Sequence, residues 1–245
     1  MANKKNKKTN TIPKLVITLL VLILYIVWLQ FFGSIELTLS NFMLHLVFLF
    51  LLIYIYHKDI LNGIKEIRKK TMGKKILAII LFTLLFFVVG TIFGGIIRNI
   101  VSDYDTGTNQ LYLLFPKIPW GTLFVCFSTI FFYPIIETLV FQKSLRDVIN
   151  NKYVFVILAA VLNLFFQVQN NPTFSEIVKA SPVVLMSVVS SIIYLKKENI
   201  MYVIYARMAY NLIICLIQLI GLIGWGNIWW VYLKDYLIQL ICWQL

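Results

Sequence analysis

The stretch FVCFSTIFFYPIIETLVF, from Phe124 to Phe141, decides the fold class of this chain. It is long enough to cross the hydrocarbon core of a bilayer as a helix, and its one charged residue is Glu137. An ionised carboxylate at membrane depth costs at least a few kcal/mol, so it normally needs a partner or a task. The sequence therefore predicts a transmembrane helix and a buried partner for Glu137 elsewhere in the chain.

Apolar runs of similar length recur along the whole chain, which has 245 residues, 60% of them hydrophobic, and a mean hydropathy of +0.87. This pattern predicts an all-α, multi-pass transmembrane bundle of about eight helices. The runs are Leu15–Phe32, Leu37–Tyr56, Ile76–Ile97, Trp120–Phe141, Tyr153–Gln169, Val178–Leu195, Ile200–Ile220 and Ile228–Trp243. The last run contains Lys234 and Asp235, so it either spans the membrane or lies along its surface. We expect one transmembrane domain, residues 15–245, after a basic arm, residues 1–14.

The positive charge of the chain is concentrated between the apolar runs. The formal net charge is +12, and most cations lie in residues 4–14, 58–75, 143–152 and 196–197. This alternation follows the positive-inside rule and predicts that both termini are cytoplasmic. It favours contact with anionic lipids and excludes nucleic acid as a partner. The segment Ile60–Lys75, interpreted as a basic amphipathic loop, is expected to lie on the lipid surface. The abundance of Lys, Asn and Ile predicts the plasma membrane of a Gram-positive bacterium.

Three short segments place polar residues inside apolar helices. They are PIIETLVFQ (Pro134–Gln142), FFQVQ (Phe165–Gln169) and RMAYN (Arg207–Asn211). Arg207 and Asn211 are four residues apart and share one face of a helix. The three cysteines, Cys126, Cys215 and Cys242, lack the spacing of metal ligands and are expected to be small buried hydrophobic residues.

In order and spacing, these segments resemble the motifs of the CPBP family of intramembrane metalloproteases, which includes the CAAX prenyl endopeptidases and the bacterial Abi proteins. Family members carry P-x-x-E-E-x-x-x-R, then F-x-x-x-H, then H-x-x-x-N on successive membrane helices. Here Glu137 matches the first Glu and Asn211 matches the Asn. The resemblance spans roughly residues 131–216 and implies a CPBP-like core over about residues 120–220.

Four motif positions depart from the family pattern. Thr138 replaces the second Glu, Gln142 the Arg, Gln169 the His of the second motif, and Arg207 the His of the third. In active members, the His pair and Glu hold a metal, usually taken to be zinc, that activates water for peptide hydrolysis. A catalytic zinc needs about three N, S or carboxylate ligands, Gln is a poor one, and Arg is a permanent cation. We therefore expect no catalytic residue, no metal and no cofactor, and a pseudoprotease rather than an enzyme. The two histidines, His45 and His57, fit no motif and are expected to be packed or interfacial.

The replacements suggest how the chain neutralises its intramembrane carboxylate. Glu137 and Arg207 stand at positions that converge around the metal in family members, so they are expected to form a buried ion pair. Asn211, Gln169 and Thr138 are expected to complete its hydrogen bonds. Such a pair either locks the helices together or forms part of a ligand pocket or switch.

The resemblance implies a role in protein binding rather than catalysis. Non-proteolytic relatives are scaffolds or regulators of cell-envelope enzymes and sensor kinases, or bacteriocin self-immunity factors, which makes a membrane or envelope protein the expected partner. Two alternatives remain open, a residual intramembrane protease and a small transporter. Metal content distinguishes the first, and flux into proteoliposomes distinguishes the second.

Overall fold

The computed structural model describes residues 11–32, 39–68, 71–100, 124, 126–168 and 173–223, and they form seven helices. The helices are α1 (Thr11–Phe32), α2 (Leu39–Arg68), α3 (Met72–Ile100), α4 (residues 126–148), α5 (Lys152–Val168), α6 (Phe174–Lys197) and α7 (Ile200–Ile223). The predicted all-α fold class is confirmed. The eighth apolar run, Ile228–Trp243, and most of the basic arm lie outside the described residues.

Four of the described helices are long and apolar enough to cross a membrane, namely α2, α3, α6 and α7. The apolar stretches of α1 and α5 are shorter. Their lipid-facing side chains are large and hydrophobic, as a bilayer requires of the outer surface of a bundle. The chain is therefore a multi-pass helical membrane protein. The side of the membrane on which each end lies stays a prediction.

From residue 128 onward, helix α4 consists of four consecutive segments with two different helical pitches. These are π-helical Ser128–Phe132, α-helical Tyr133–Glu137, π-helical Thr138–Ser144 and α-helical Leu145–Val148. Pro134 lies in the first turn of the central α-helical segment, directly after the first π-helical segment, and it has no backbone N–H to donate along the helix. π-Helical turns inside α-helices are rare and occur often at functional sites. Here they flank Glu137, and every residue of the second π-helical segment is buried.

The predicted basic loop Ile60–Lys75 is wrong as a loop. Helix α2 continues through it to Arg68, with a kink at Tyr56 where the apolar run ends, and α3 begins at Met72. The reason is amphipathic spacing, because Ile60, Ile64 and Ile67 recur at helical intervals and pack against the core. Helix α2 thus extends beyond the end of its apolar run.

The buried side chains form two clusters that meet at α4. One cluster joins α3, α5, α6 and α7 and includes the fully buried Phe86 and Phe155. The other joins α1, α2, α4 and the end of α5, and includes Leu52 and Ile136. Since α4 belongs chiefly to the second cluster and α7 to the first, a contact between these two helices ties the clusters together.

Candidate functional site

An ion pair joins α4 to α7 where the two clusters meet. Nη2 of Arg207 donates a hydrogen bond to Oε2 of Glu137, and the two side chains are only 11% and 13% exposed. Glu137 is the last α-helical residue before the second π-helical segment of α4. This is the contact that the two charged residues predict from the sequence. Each charge compensates the other at a depth where water is scarce, so neither can be removed without stranding its partner.

Helix α1 covers this ion pair with aromatic side chains. Tyr25 is buried and packs edge-on against Phe141 of α4 and Phe166 of α5, at ring-centroid distances of 5.1 and 5.2 Å. Tyr25 and Tyr133 are close enough to Glu137 to interact electrostatically with its carboxylate. The aromatic layer excludes solvent from the pair, which strengthens the attraction between its charges.

Two of the motif residues on α4, Thr138 and Gln142, form no hydrogen bond with the ion pair. Thr138 is fully buried, and its hydroxyl has no hydrogen-bond partner among the described residues. Gln142, also fully buried, donates through Nε2 to Oγ of Ser187 on α6, at 3.4 Å. The expectation that Thr138 completes the pair is therefore wrong. The π-helical turn that begins at Thr138 changes the direction of its side chain relative to that of Glu137.

Asn211 lies one turn along α7 from Arg207 and serves a different group. Its Nδ2 donates to the backbone carbonyl of Thr129, at 2.7 Å. Thr129 belongs to the first π-helical segment of α4, where the altered pitch frees carbonyl oxygens from regular helical bonding. Asn211 thus fastens α7 to α4 beside the ion pair instead of binding the carboxylate. Gln169 lies outside the described residues.

Three buried polar atoms on α4 and α5 have no hydrogen-bond partner among the described residues. Oε1 of Gln142 and Oδ1 of Asn163 are buried without a partner, like the Thr138 hydroxyl. Ser187 of α6 links α4 to α5, because its hydroxyl accepts a hydrogen bond from Gln142 and donates one to the carbonyl of Ala159, at 3.3 Å. Burying such atoms without partners costs about 1–3 kcal/mol each.

A second polar cluster lies at the end of the bundle where α2, α4 and α6 carry their cations, which we call the basic end. Nζ of Lys143 contacts Asp59 of α2 at 3.1 Å and Asp147 of α4 at 2.9 Å. Asn199, in the turn between α6 and α7, donates to the carbonyl of Gly63 at 3.1 Å and to the carboxylate of Glu66 at 3.0 Å. Parts of residues 58–75 and 143–152, together with the turn that follows residues 196–197, thereby lie at one end of the bundle.

Sequence reasoning missed several residues of both clusters. The helices or turns that carry Tyr25, Ser187 and Asn199 contain no motif. From the sequence, Lys143 was used only to predict which side of the membrane its segment faces. The available signals were faint: an aromatic residue within an aliphatic run for Tyr25, and an Asn just before an apolar run for Asn199, which is a common helix N-cap.

Residues 119–213 match the family model described as type II CAAX prenyl endopeptidase Rce1-like. The matched region holds all three motif segments and the α4–α7 ion pair. The match covers 95 of the 245 residues, and it confirms the predicted resemblance to the CAAX protease family. No curated protein and no solved structure shows significant similarity to the chain.

The residues around Glu137 do not fit the divalent metal that this family implies. The charged group in contact with the carboxylate is a guanidinium, which repels a second cation and cannot lose its proton to become a ligand. His45 packs edge-on against the rings of Trp28 and Tyr133 instead. In the described part of the chain, no three His, Cys, Asp or Glu residues lie close enough to hold a metal ion.

Proposed function

We propose that this chain is a non-proteolytic member of the CAAX protease family that acts by binding a membrane or cell-envelope protein. The observation that carries the proposal is the ion pair between Glu137 and Arg207. Hydrolysis by a metal-bound water requires an open coordination position and a carboxylate free to accept a proton. Here a permanent cation takes the place of a metal ligand and uses the carboxylate as its counter-ion.

A pseudoprotease with this site keeps the helical core of an intramembrane protease and loses its chemistry. The ion pair, the Asn211 bond to Thr129 and the aromatic layer of Tyr25 hold α1, α4 and α7 in one arrangement. Such a rigid core presents a constant helical surface to a neighbour within the bilayer. Family-level resemblance points to a cell-envelope enzyme, a sensor kinase or the receptor of a bacteriocin as that neighbour.

The basic end supports a contact with anionic lipids of the plasma membrane. Lys58, Lys65 and Arg68 are exposed on the outer face of α2, while the isoleucines of the same stretch face the core. Each exposed cation near an anionic surface contributes on the order of 1 kcal/mol to membrane attraction. In this proposal the lipid contact orients the protein, and a Gram-positive plasma membrane supplies both the lipid and the partner.

The test is affinity purification of the tagged full-length chain from membranes in mild detergent, with metal analysis of the same sample. A stoichiometric membrane or envelope protein, together with less than about one tenth of a zinc ion per chain, is the expected result. Arg207→Gln, purified in parallel, controls for partners held by the intact site. About one zinc per chain with no partner would overturn the proposal and restore the protease alternative, whereas solute flux in proteoliposomes would favour the transporter.

A polar ligand pocket is a second candidate, favoured by the unpaired atoms of Thr138, Gln142 and Asn163. A small ligand that donates hydrogen bonds would satisfy whichever of these acceptors it reaches. Its presence would reverse the stability change that we predict below for Thr138→Val, so the same variant tests this candidate.

A further inference from the structure

Two cysteines face each other across the interface between α4 and α7. The helices are antiparallel, because Glu137 meets Arg207 whereas the earlier residue Thr129 meets the later residue Asn211. Continuing in the same register, the next turn brings Cys126 opposite Cys215. The two side chains are close enough to interact with each other electrostatically, and both thiols are free.

We propose that Cys126 and Cys215 form a redox pair, which an apolar two-electron oxidant dissolved in the lipid, a quinone, converts into an intramolecular disulfide. Two S–H bonds break and one S–S bond forms. The two electrons and two protons pass to the quinone, which becomes a hydroquinone. A dithiol reductant reverses the step by thiol–disulfide exchange.

The surroundings of the pair determine which oxidant can reach it. Cys126 is 6% and Cys215 1% exposed, and among the described residues no cationic or basic side chain interacts with either thiol to favour the reactive thiolate. Their chain neighbours Phe127 and Leu216 are exposed on the outer, lipid-facing surface of the bundle. A hydrophilic oxidant would have to cross this apolar layer, whereas a quinone partitions into it.

The disulfide would act on the helix contact already described. It would tie α4 to α7 one turn beyond the Asn211 bond to Thr129, on the side away from the basic end. A covalent link between distant residues restricts the unfolded chain and raises stability. The two helices could then no longer separate at this end, so the redox state of the lipid would control the mobility of the α4–α7 pair. This inference does not depend on the absence of proteolysis.

The test counts thiols in the purified full-length chain in lipid nanodiscs. The probe is duroquinone, whose fully methylated ring cannot add a thiol, and the thiols are titrated after denaturation. The chain has three cysteines, so oxidation should reduce the number of titratable thiols from three to one, and dithiothreitol should restore three. The midpoint temperature of unfolding should rise by several degrees on oxidation and fall back on reduction.

Two variants identify the partners. Cys242→Ala should pass from two thiols to none, because the remaining pair is the proposed one. Cys126→Ala should keep both of its thiols under the same treatment, and its unfolding temperature should not change. Three thiols after treatment of the wild-type chain would overturn the proposal, as would a loss of thiols in Cys126→Ala equal to that in the wild type.

Discussion

The guanidinium of Arg207 on α7 donates a hydrogen bond to the carboxylate of Glu137 on α4, and both side chains are nearly buried. Charge-assisted hydrogen bonds of this kind are roughly twice as strong as neutral ones. The low dielectric of the surroundings strengthens the attraction but also makes each charge costly alone. The two helices are thus bound by a contact that tolerates replacement of both members better than loss of one.

Removing either charge should destabilise the protein strongly. Glu137→Gln and Arg207→Gln each strand the opposite charge, so each should lower the free energy of unfolding by about 3–5 kcal/mol. The double variant Glu137→Gln/Arg207→Gln should lose less than the sum of the two, because it strands no charge. Unfolding by denaturant in detergent micelles, monitored by circular dichroism, measures all three.

The matched control is Glu176→Gln on α6. Glu176 pairs with Lys179 at 2.8 Å, but its side chain is 41% exposed. Loss of such a solvent-exposed pair should lower the free energy of unfolding by no more than about 1 kcal/mol. If the variants of the buried pair lose no more stability than this control, the ion pair does not hold the helices together.

The contact between Glu137 and Arg207 could be predicted from sequence because charges inside apolar runs are few and must be compensated. The partners of the neighbouring amides and hydroxyls could not be predicted. Asn211 binds Thr129 and Gln142 binds Ser187, since the π-helical turns of α4 rotate its side chains away from the directions that regular α-helical spacing implies. Nothing in a hydrophobicity pattern marks those turns.

Replacing the hydroxyl of Thr138 should stabilise the protein. The Oγ1 atom is fully buried and has no partner among the described residues. Thr138→Val keeps the shape of the side chain and removes the hydroxyl, which gives up its hydrogen bonds to water on folding. We expect a gain of about 1–2 kcal/mol in the free energy of unfolding. Thr83→Val is the control, because Oγ1 of Thr83 donates to the carbonyl of Ile79 at 2.9 Å, and its loss should cost about 1 kcal/mol. Destabilisation by Thr138→Val would mean that the hydroxyl has a bound ligand or water, as the pocket candidate requires.

The order of the helices in the described residues could be predicted from the sequence, because each apolar run needs a helix to satisfy its backbone in lipid. The length of α2 was not. Its extension past Tyr56 to Arg68 is charged on one face. From the sequence alone such a charged segment is interpreted as a loop, because the packing of Ile64 and Ile67 against the core is visible only in the structure. Amphipathic helices beyond the membrane depend on such tertiary contacts, which a single sequence does not display.

The two carboxylates that hold Lys143 should contribute unequally. Asp147 is 24% exposed and lies one helical turn away on the same helix, whereas Asp59 of α2 is 50% exposed. Asp147→Asn should therefore lower the free energy of unfolding by about 1–3 kcal/mol, the range for a hydrogen bond to a charged group. Asp59→Asn should change it by about 1 kcal/mol or less, because water screens an exposed pair. Equal losses, or a larger loss for Asp59→Asn, would show that the tie between α2 and α4 carries the energy instead.

A methyl group at Gly63 should loosen the extension of α2 from the turn between α6 and α7. It would lie 2.6 Å from Oδ1 of Asn199 and 2.7 Å from Cγ of Met201, closer than non-bonded atoms can approach. Oδ1 of Asn199 accepts from the backbone N–H of Met201 at 3.0 Å and so caps the start of α7. Gly63→Ala must either displace this cap or push α2 outward, and we expect the free energy of unfolding to fall by about 1–3 kcal/mol.

Gly73→Ala is the control, since its methyl group would have no atom within 4 Å. The better helix propensity of Ala should leave stability unchanged or raise it by up to about 1 kcal/mol. Equal effects of the two variants on the free energy of unfolding would mean that the contact between Gly63 and Asn199 does not fasten α2 to the bundle.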